Sequence, residues 1–203
     1  MRKEIFVVRV GNYMPALCRH TLPSIKRYAK KIGAKFTLIR DRKFPEFSPT
    51  YEKMQVFDRG KDNDWNILLD CDMYLDEGMY DVTEIVSEDT VGSWMVYDPQ
   101  VTIQSDEYLR LDGSDKIIAT NFVVSGARQH SIWKPLEFSA QEALSRMKRS
   151  FVVDEYCVGR NIKRLGIGLS SISLPGAADN LFVHCNASTD ALSEKEALQL
   201  IPR

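Results

Sequence analysis

The chain has 203 residues, 44% of them hydrophobic and 27% charged, with a net charge of −1. These values describe one globular domain over residues 1–203 with room for a real core, and the charge excludes a global pull toward nucleic acid or anionic membrane. No run approaches the ~20 apolar residues of a membrane span. Cys18, Cys71, Cys157 and Cys185 are scattered without a C-x-x-C pair, so neither a zinc site nor a disulfide framework is suggested and a cytoplasmic setting is expected.

Charge is unevenly spread: from Asp58 to Asp115 there are 16 acids against three bases, Arg59, Lys61 and Arg110. That suits a carboxylate-based cation site flanked by basic segments, although solvated faces produce the same pattern. The opening "MRKEIFVVRVG" is too short and too polar for a signal peptide. Ile5 to Val10 predict a first strand, closed by "GNYMP". Leu22, Ile25, Ala29 and Ile32 recur at helical spacing with Arg19, Lys26, Arg27, Lys30 and Lys31 opposite, and Gly33 ends that helix. "AKFTLI" supplies a second strand, and the β-α-β crossover implies a parallel sheet.

Tyr51, Met54 and Phe57 predict a short helix ending at Gly60, and "KDNDW" turns into the strand "NILLD". Val82, Ile85 and Val86 mark another short helix. "VGSWMVY" and "KIIATNFVV" are read as strands joined by a polar stretch over 98–116. Ser139 with Glu142 forms a capping box for a helix to about Arg149. Asp154, placed as an N-cap, opens a helix to Leu165 that Gly166 ends. "IGLSSISL", a Pro175-Gly176 turn and "NLFVHC" follow, and Ser193 with Glu196 caps a last helix to Ile201. The class is α/β, a single domain with a mainly parallel central sheet flanked by helices.

Two acids at the end of a buried strand need a reason, because each is costly to desolvate. Asp70 and Asp72 stand there with only Cys71 between them. Carboxylates two apart at a strand end can share a hard cation such as Mg²⁺ or Mn²⁺, and ligands of open parallel sheets gather at that edge. A calcium loop does not fit, since Tyr74 and Leu75 fall where an EF-hand needs an oxygen ligand and a glycine. His184 closes the late apolar strand "LFVHC"; a core or surface histidine is the plain reading, and a third metal ligand, favouring Mn²⁺, is the functional one.

"WNILLDCDMYL" resembles the D-x-D segment of metal-dependent nucleotide-sugar glycosyltransferases with the GT-A fold. "SPTYEKMQVFD", "ATNFVVSGAR", "VDEYCVG" and "FVHC" resemble, in order, further segments of retaining members such as glycosyltransferase family 8 and its relatives. Phe122 and Val123 depart from that pattern after Asn121, as does "NASTDALS" after His184. The resemblance implies a GT-A-like, Rossmann-like domain that moves a hexose from a UDP-glucose or UDP-galactose type donor to an unidentified acceptor, with Mn²⁺ (or Mg²⁺) as cofactor. It implies that Asp72 and His184 hold the metal, with Asp70 a further or indirect ligand near the ribose. It places the nucleotide against the loop carrying Val10, Gly11 and Tyr13, with Lys53 as a point charge for the phosphates. Asn121, Asp154 and Glu155 are then the candidate catalytic or sugar-binding residues. A nucleotidyltransferase of similar fold should carry a glycine-rich basic loop after its first strand, which "GNYMPALCR" is not. A sugar-nucleotide-binding pseudoenzyme remains the non-catalytic alternative. A haloacid-dehalogenase phosphatase is disfavoured by Tyr74 and by the complete β-α-β unit ahead of the two aspartates.

Overall fold

Alternation along the first strand decides the layering. In the computed structural model the described residues are 1–94, 96–97, 117–145, 147, 150–172, 182–184 and 194–201. Strand β1 (Lys3–Val8) sends Ile5 and Val7 into one buried cluster with Cys18, Leu22, Ile25 and Ala29 of helix α1 (Pro15–Lys31). Phe6 joins a second cluster, on the other face, with Val153, Cys157, Val158 and Ile162. A strand covered on both faces has no solvent side, which is why these strands read as continuous apolar runs.

The chain continues through β2 (Lys35–Ile39), a 3-10 turn at Pro49–Gln55, α2 (Val56–Arg59), β3 (Trp65–Asp70) and β4 (Met73–Leu75). After a 3-10 turn at Val82–Glu84 come β5 (Thr90–Ser93), β6 (Val96–Tyr97), β7 (Ile117–Ile118) and β8 (Phe122–Gly126). A 3-10 segment at Ala127–Trp133 leads to α3 (Ala140–Ser145), then α4 (Val153–Leu165), β9 (Gly168–Ser171), β10 (Phe182–His184) and α5 (Glu194–Gln199). Six strands form the main sheet in the order β2-β1-β3-β8-β5-β9. β1 runs parallel to β2 and β3, and β5 parallel to β9, while β8 is antiparallel to both its neighbours. The result is a mixed, mainly parallel sheet between helices.

Several expectations change in detail. The first strand ends at Val8, two residues early, and the helix expected around Tyr51 starts as a 3-10 turn. Val82–Glu84 is likewise a single 3-10 turn, capped by Asp81, whose carboxylate accepts from the Thr83 N–H and hydroxyl. "VGSWMVY" and "KIIATNFVV" each split in two: β5 and β8 stay in the main sheet, while β6 and β7 pair apart from it. Ser139 does cap α3, its Oγ accepting the Glu142 N–H at 3.2 Å. The stretch 98–116, the end of that helix at Arg149, Pro175-Gly176, Cys185 and the Ser193 cap lie outside the described residues.

Candidate active site at one edge of the sheet

Parallel pairing of β1 with β3 sets the site. Val8 lies opposite Asp70 in register, so the loops that follow both strands leave the sheet at one edge. Antiparallel β8 enters at that same edge, where the Asn121 carbonyl accepts the Asp70 N–H at 2.8 Å. The turn between Asp70 and Asp72 is anchored by its middle residue, whose carbonyl accepts a hydrogen bond from the Thr21 hydroxyl of α1. Asp72 is buried, and the Tyr13 hydroxyl donates to its Oδ2 at 3.5 Å. Burial, then the Asp72 charge, pushes the Tyr13 phenol well above its ordinary range, so it stays a donor.

Ahead of Tyr13, Val10 is half-buried and Gly11 exposed, the glycine at φ +65 with no atom crowding its missing side chain. The positive φ, not a close contact within the chain, is what requires glycine here. Arg9 Nε donates to the Tyr13 carbonyl at 3.2 Å and closes the loop on itself.

Lys53 is not a surface lysine. It is buried, and its Nζ lies 2.8 Å from Asp70 Oδ1 and 3.0 Å from Asp154 Oδ2. The same nitrogen donates to the Thr120 carbonyl at 3.1 Å and the Thr120 hydroxyl at 3.2 Å. Thr120 passes the bond on, its Oγ1 donating to Asp154 Oδ2 at 2.6 Å. Burial alone would lower the Lys53 pKa; the Asp154 and Asp70 charges outweigh it and hold the ammonium above the usual lysine range.

Asp154 is not the cap of α4. The cap position is Val152, with no side-chain hydrogen bond, and Asp154 and Glu155 fill the first turn, where the helix dipole favours negative charge. Of the two acids Asp154 is buried and Glu155 half-buried. Burial, then the Asp154 charge, pushes the Glu155 carboxyl up to about 8. Asp154 Oδ1 and Glu155 Oε2 are both shut off from solvent, with no hydrogen-bond partner among the described residues. Two adjacent acids with unmet acceptors at a sheet edge are unusual outside functional sites. Sequence reasoning missed Thr120, whose role appears only where the apolar run breaks between β7 and β8.

The structure thus brings together Asp70, Asp72, Lys53, Asn121, Asp154, Glu155 and the Gly11–Tyr13 loop. His184 approaches through its backbone: β10 runs antiparallel to β4 with His184 opposite Met73, the residue after Asp72. Among the described residues no three His, Cys, Asp or Glu side chains form a metal-holding cluster. The two carboxylates nonetheless fit a hard divalent ion, which commonly takes one or two protein carboxylates and completes its shell with phosphates and water. Asp70 is 25% exposed and so open to a ligand.

The fold has a solved counterpart. A glycosyltransferase involved in glycosylation of the major capsid of PBCV-1 superposes with a TM-score of 0.57 at 10% sequence identity, over 98% of each chain. This chain is similar in fold to a glycosyltransferase. The galactosyltransferase LgtC, solved with donor and acceptor sugar analogs, overlaps more loosely, with a TM-score of 0.47 at 12% identity over 83% of this chain and 72% of that one. No family model and no curated protein sequence matches the chain. No helix among the described residues is long and apolar enough to cross a membrane.

Proposed function

We propose that the chain is a metal-dependent glycosyltransferase of the GT-A type that transfers a hexose from a UDP-sugar to an acceptor. The observation that carries this reading is the convergence, on one sheet edge, of the Asp70–Asp72 pair with the buried Lys53–Asp154–Thr120 network. Its fold-level support is the likeness to the capsid glycosyltransferase.

Asp70 and Asp72 would hold a divalent ion, Mn²⁺ or Mg²⁺, with His184 as the third protein ligand. When bound, the ion supplies Lewis-acid stabilisation of the charge on the leaving diphosphate. The loop from Val10 to Tyr13 would lie along the nucleotide. Asn121 would orient the sugar or the acceptor. Asp154 would face the sugar as the carboxylate that steadies the positive charge of an oxocarbenium-like transition state, with the protonated Glu155 beside it as a hydrogen-bond donor. Transfer with retention follows if the acceptor attacks from the leaving group's own face, because no separate base is then needed on the opposite side.

Calorimetry with UDP tests the metal site. UDP should bind much more tightly in Mn²⁺ than in EDTA, and Asp72→Asn should abolish that difference while the far-UV spectrum stays unchanged. Equal affinity in Mn²⁺ and EDTA would overturn the assignment of Asp70 and Asp72.

A further inference from the structure

The Lys53 ammonium is held as a small cation would be. Four oxygens surround it: Asp70 Oδ1 at 2.8 Å, Asp154 Oδ2 at 3.0 Å, the Thr120 carbonyl at 3.1 Å and the Thr120 hydroxyl at 3.2 Å. An ammonium is a compact point charge with three donors, and this cage supplies more acceptors than it has protons. Its position is therefore set by the protein. The cage draws on three separate parts of the chain: the end of β3, the residue before the Asn121 turn and the first turn of α4.

One of the four oxygens belongs to Asp70, the more open acid of the Asp70–Asp72 pair. A divalent ion approaching that carboxylate meets a group already partnered by a positive charge fixed 2.8 Å away. At the effective dielectric of a partly buried site, two cations that share one carboxylate repel strongly. An anion arriving with the ion removes that penalty, because its negative charge offsets the ammonium as well as the ion. With Asp70 turned toward another partner, Asp154 and both Thr120 oxygens would still hold the ammonium.

We propose that Lys53 is a built-in competitor for the cation at Asp70, so that a bare divalent ion binds weakly and binds well only together with a diphosphate. This rests on the reading of Asp70 and Asp72 as a metal site and adds a rule of entry to it: ion and diphosphate load as a pair. The same rule keeps the empty site from holding metal ions on their own.

Electron paramagnetic resonance counts free Mn²⁺ directly and tests this without turnover. Mn²⁺ alone is titrated into the wild type, Lys53→Gln, Lys53→Arg and Asp70→Asn, and the titrations are repeated at saturating UDP. Lys53→Gln retains an N–H donor for the cage; Lys53→Met is carried in parallel should Gln fail to fold, with circular dichroism as the check. The neutral variant should bind free Mn²⁺ at least about tenfold more tightly than the wild type, a change of one charge at the site. Lys53→Arg should stay weak, Asp70→Asn should bind weakest, and UDP should tighten the wild type more than the neutral variant. Free-ion affinity unchanged or weakened in Lys53→Gln, while the wild type binds Mn²⁺ with UDP, overturns the competitor role alone. No Mn²⁺ binding to the wild type even with UDP overturns the metal site and this inference together.

Discussion

Thr120 touches three candidate residues at once: its carbonyl and hydroxyl take Lys53, its hydroxyl donates to Asp154, and its amide lies against the Glu155 carboxyl. No pattern in the sequence marks it, because its part depends on where the chain leaves the sheet. Of its acidic neighbours, Asp70 stood out because paired acids at a strand end conflict with burial, whereas Asp154 and Glu155 were marked only by the resemblance of "VDEYCVG". What the sequence cannot display is how far each acid is buried, and that governs their chemistry. Glu155 shows the consequence. Folded, its carboxyl keeps its proton up to about 8, whereas the ordinary value is 4.5. Between those values the folded chain binds a proton that the unfolded chain releases, so this group makes stability fall as pH rises. Glu155→Gln keeps the shape without the proton. Its melting temperature should match the wild type near the lower value and exceed it increasingly toward about pH 8. A difference that stays constant across that window would contradict a buried neutral carboxyl.

At the scale of elements, the apolar runs gave strand positions but not strand breaks. "VGSWMVY" stays apolar straight through the bend at Trp94 that separates β5 from β6. "KIIATNFVV" likewise hides the turn at Thr120 and Asn121, because Ala119 is as buried as the strands on either side. Hydrogen bonds carry the pairing one residue past these strand ends: the Trp94 N–H donates to the Phe122 carbonyl, and the Asp70 N–H to that of Asn121. Packing within an element also rests on small residues that periodicity ignores. A β-carbon added at Gly92 in β5 would stand 2.5 Å from Val86 Cγ2 and 2.9 Å from Ile172 Cγ2. Both neighbours are fully packed in the core beneath β5. Gly92→Ala should therefore cost about 1–3 kcal/mol in urea denaturation, with the denaturant slope unchanged. A neutral substitution would mean that Val86 and Ile172 can move apart freely.

For the whole molecule, the β-α-β start and the α/β class were legible because both faces of the early strands must be covered. The antiparallel course of β8 was not, since side-chain alternation carries no direction. That reversal matters: it brings Asn121 and Thr120, at the start of β8, to the edge where β3 ends. Ligands of open sheets gather at such edges, and Asp70, Asp72, Lys53, Asn121, Asp154 and Glu155 lie at this one. Retention is the stereochemical expectation of the proposed arrangement, with Asp154 and Glu155 on the sugar side. Proton NMR of the glycoside formed from an α-linked UDP-hexose should show an α-linked product, and a β-linked product would contradict it.

Donor turnover is the most direct test of the account. UDP-glucose and UDP-galactose are each incubated with the wild type, Asp72→Asn and Asp154→Asn, in Mn²⁺ and in EDTA, and UDP release is followed over time. The account predicts that the wild type releases UDP from at least one donor in Mn²⁺ and not in EDTA, and that each substitution slows release at least about a hundredfold, the scale of losing one transition-state interaction. Release that proceeds equally in EDTA, or equally in Asp72→Asn and Asp154→Asn, would contradict it.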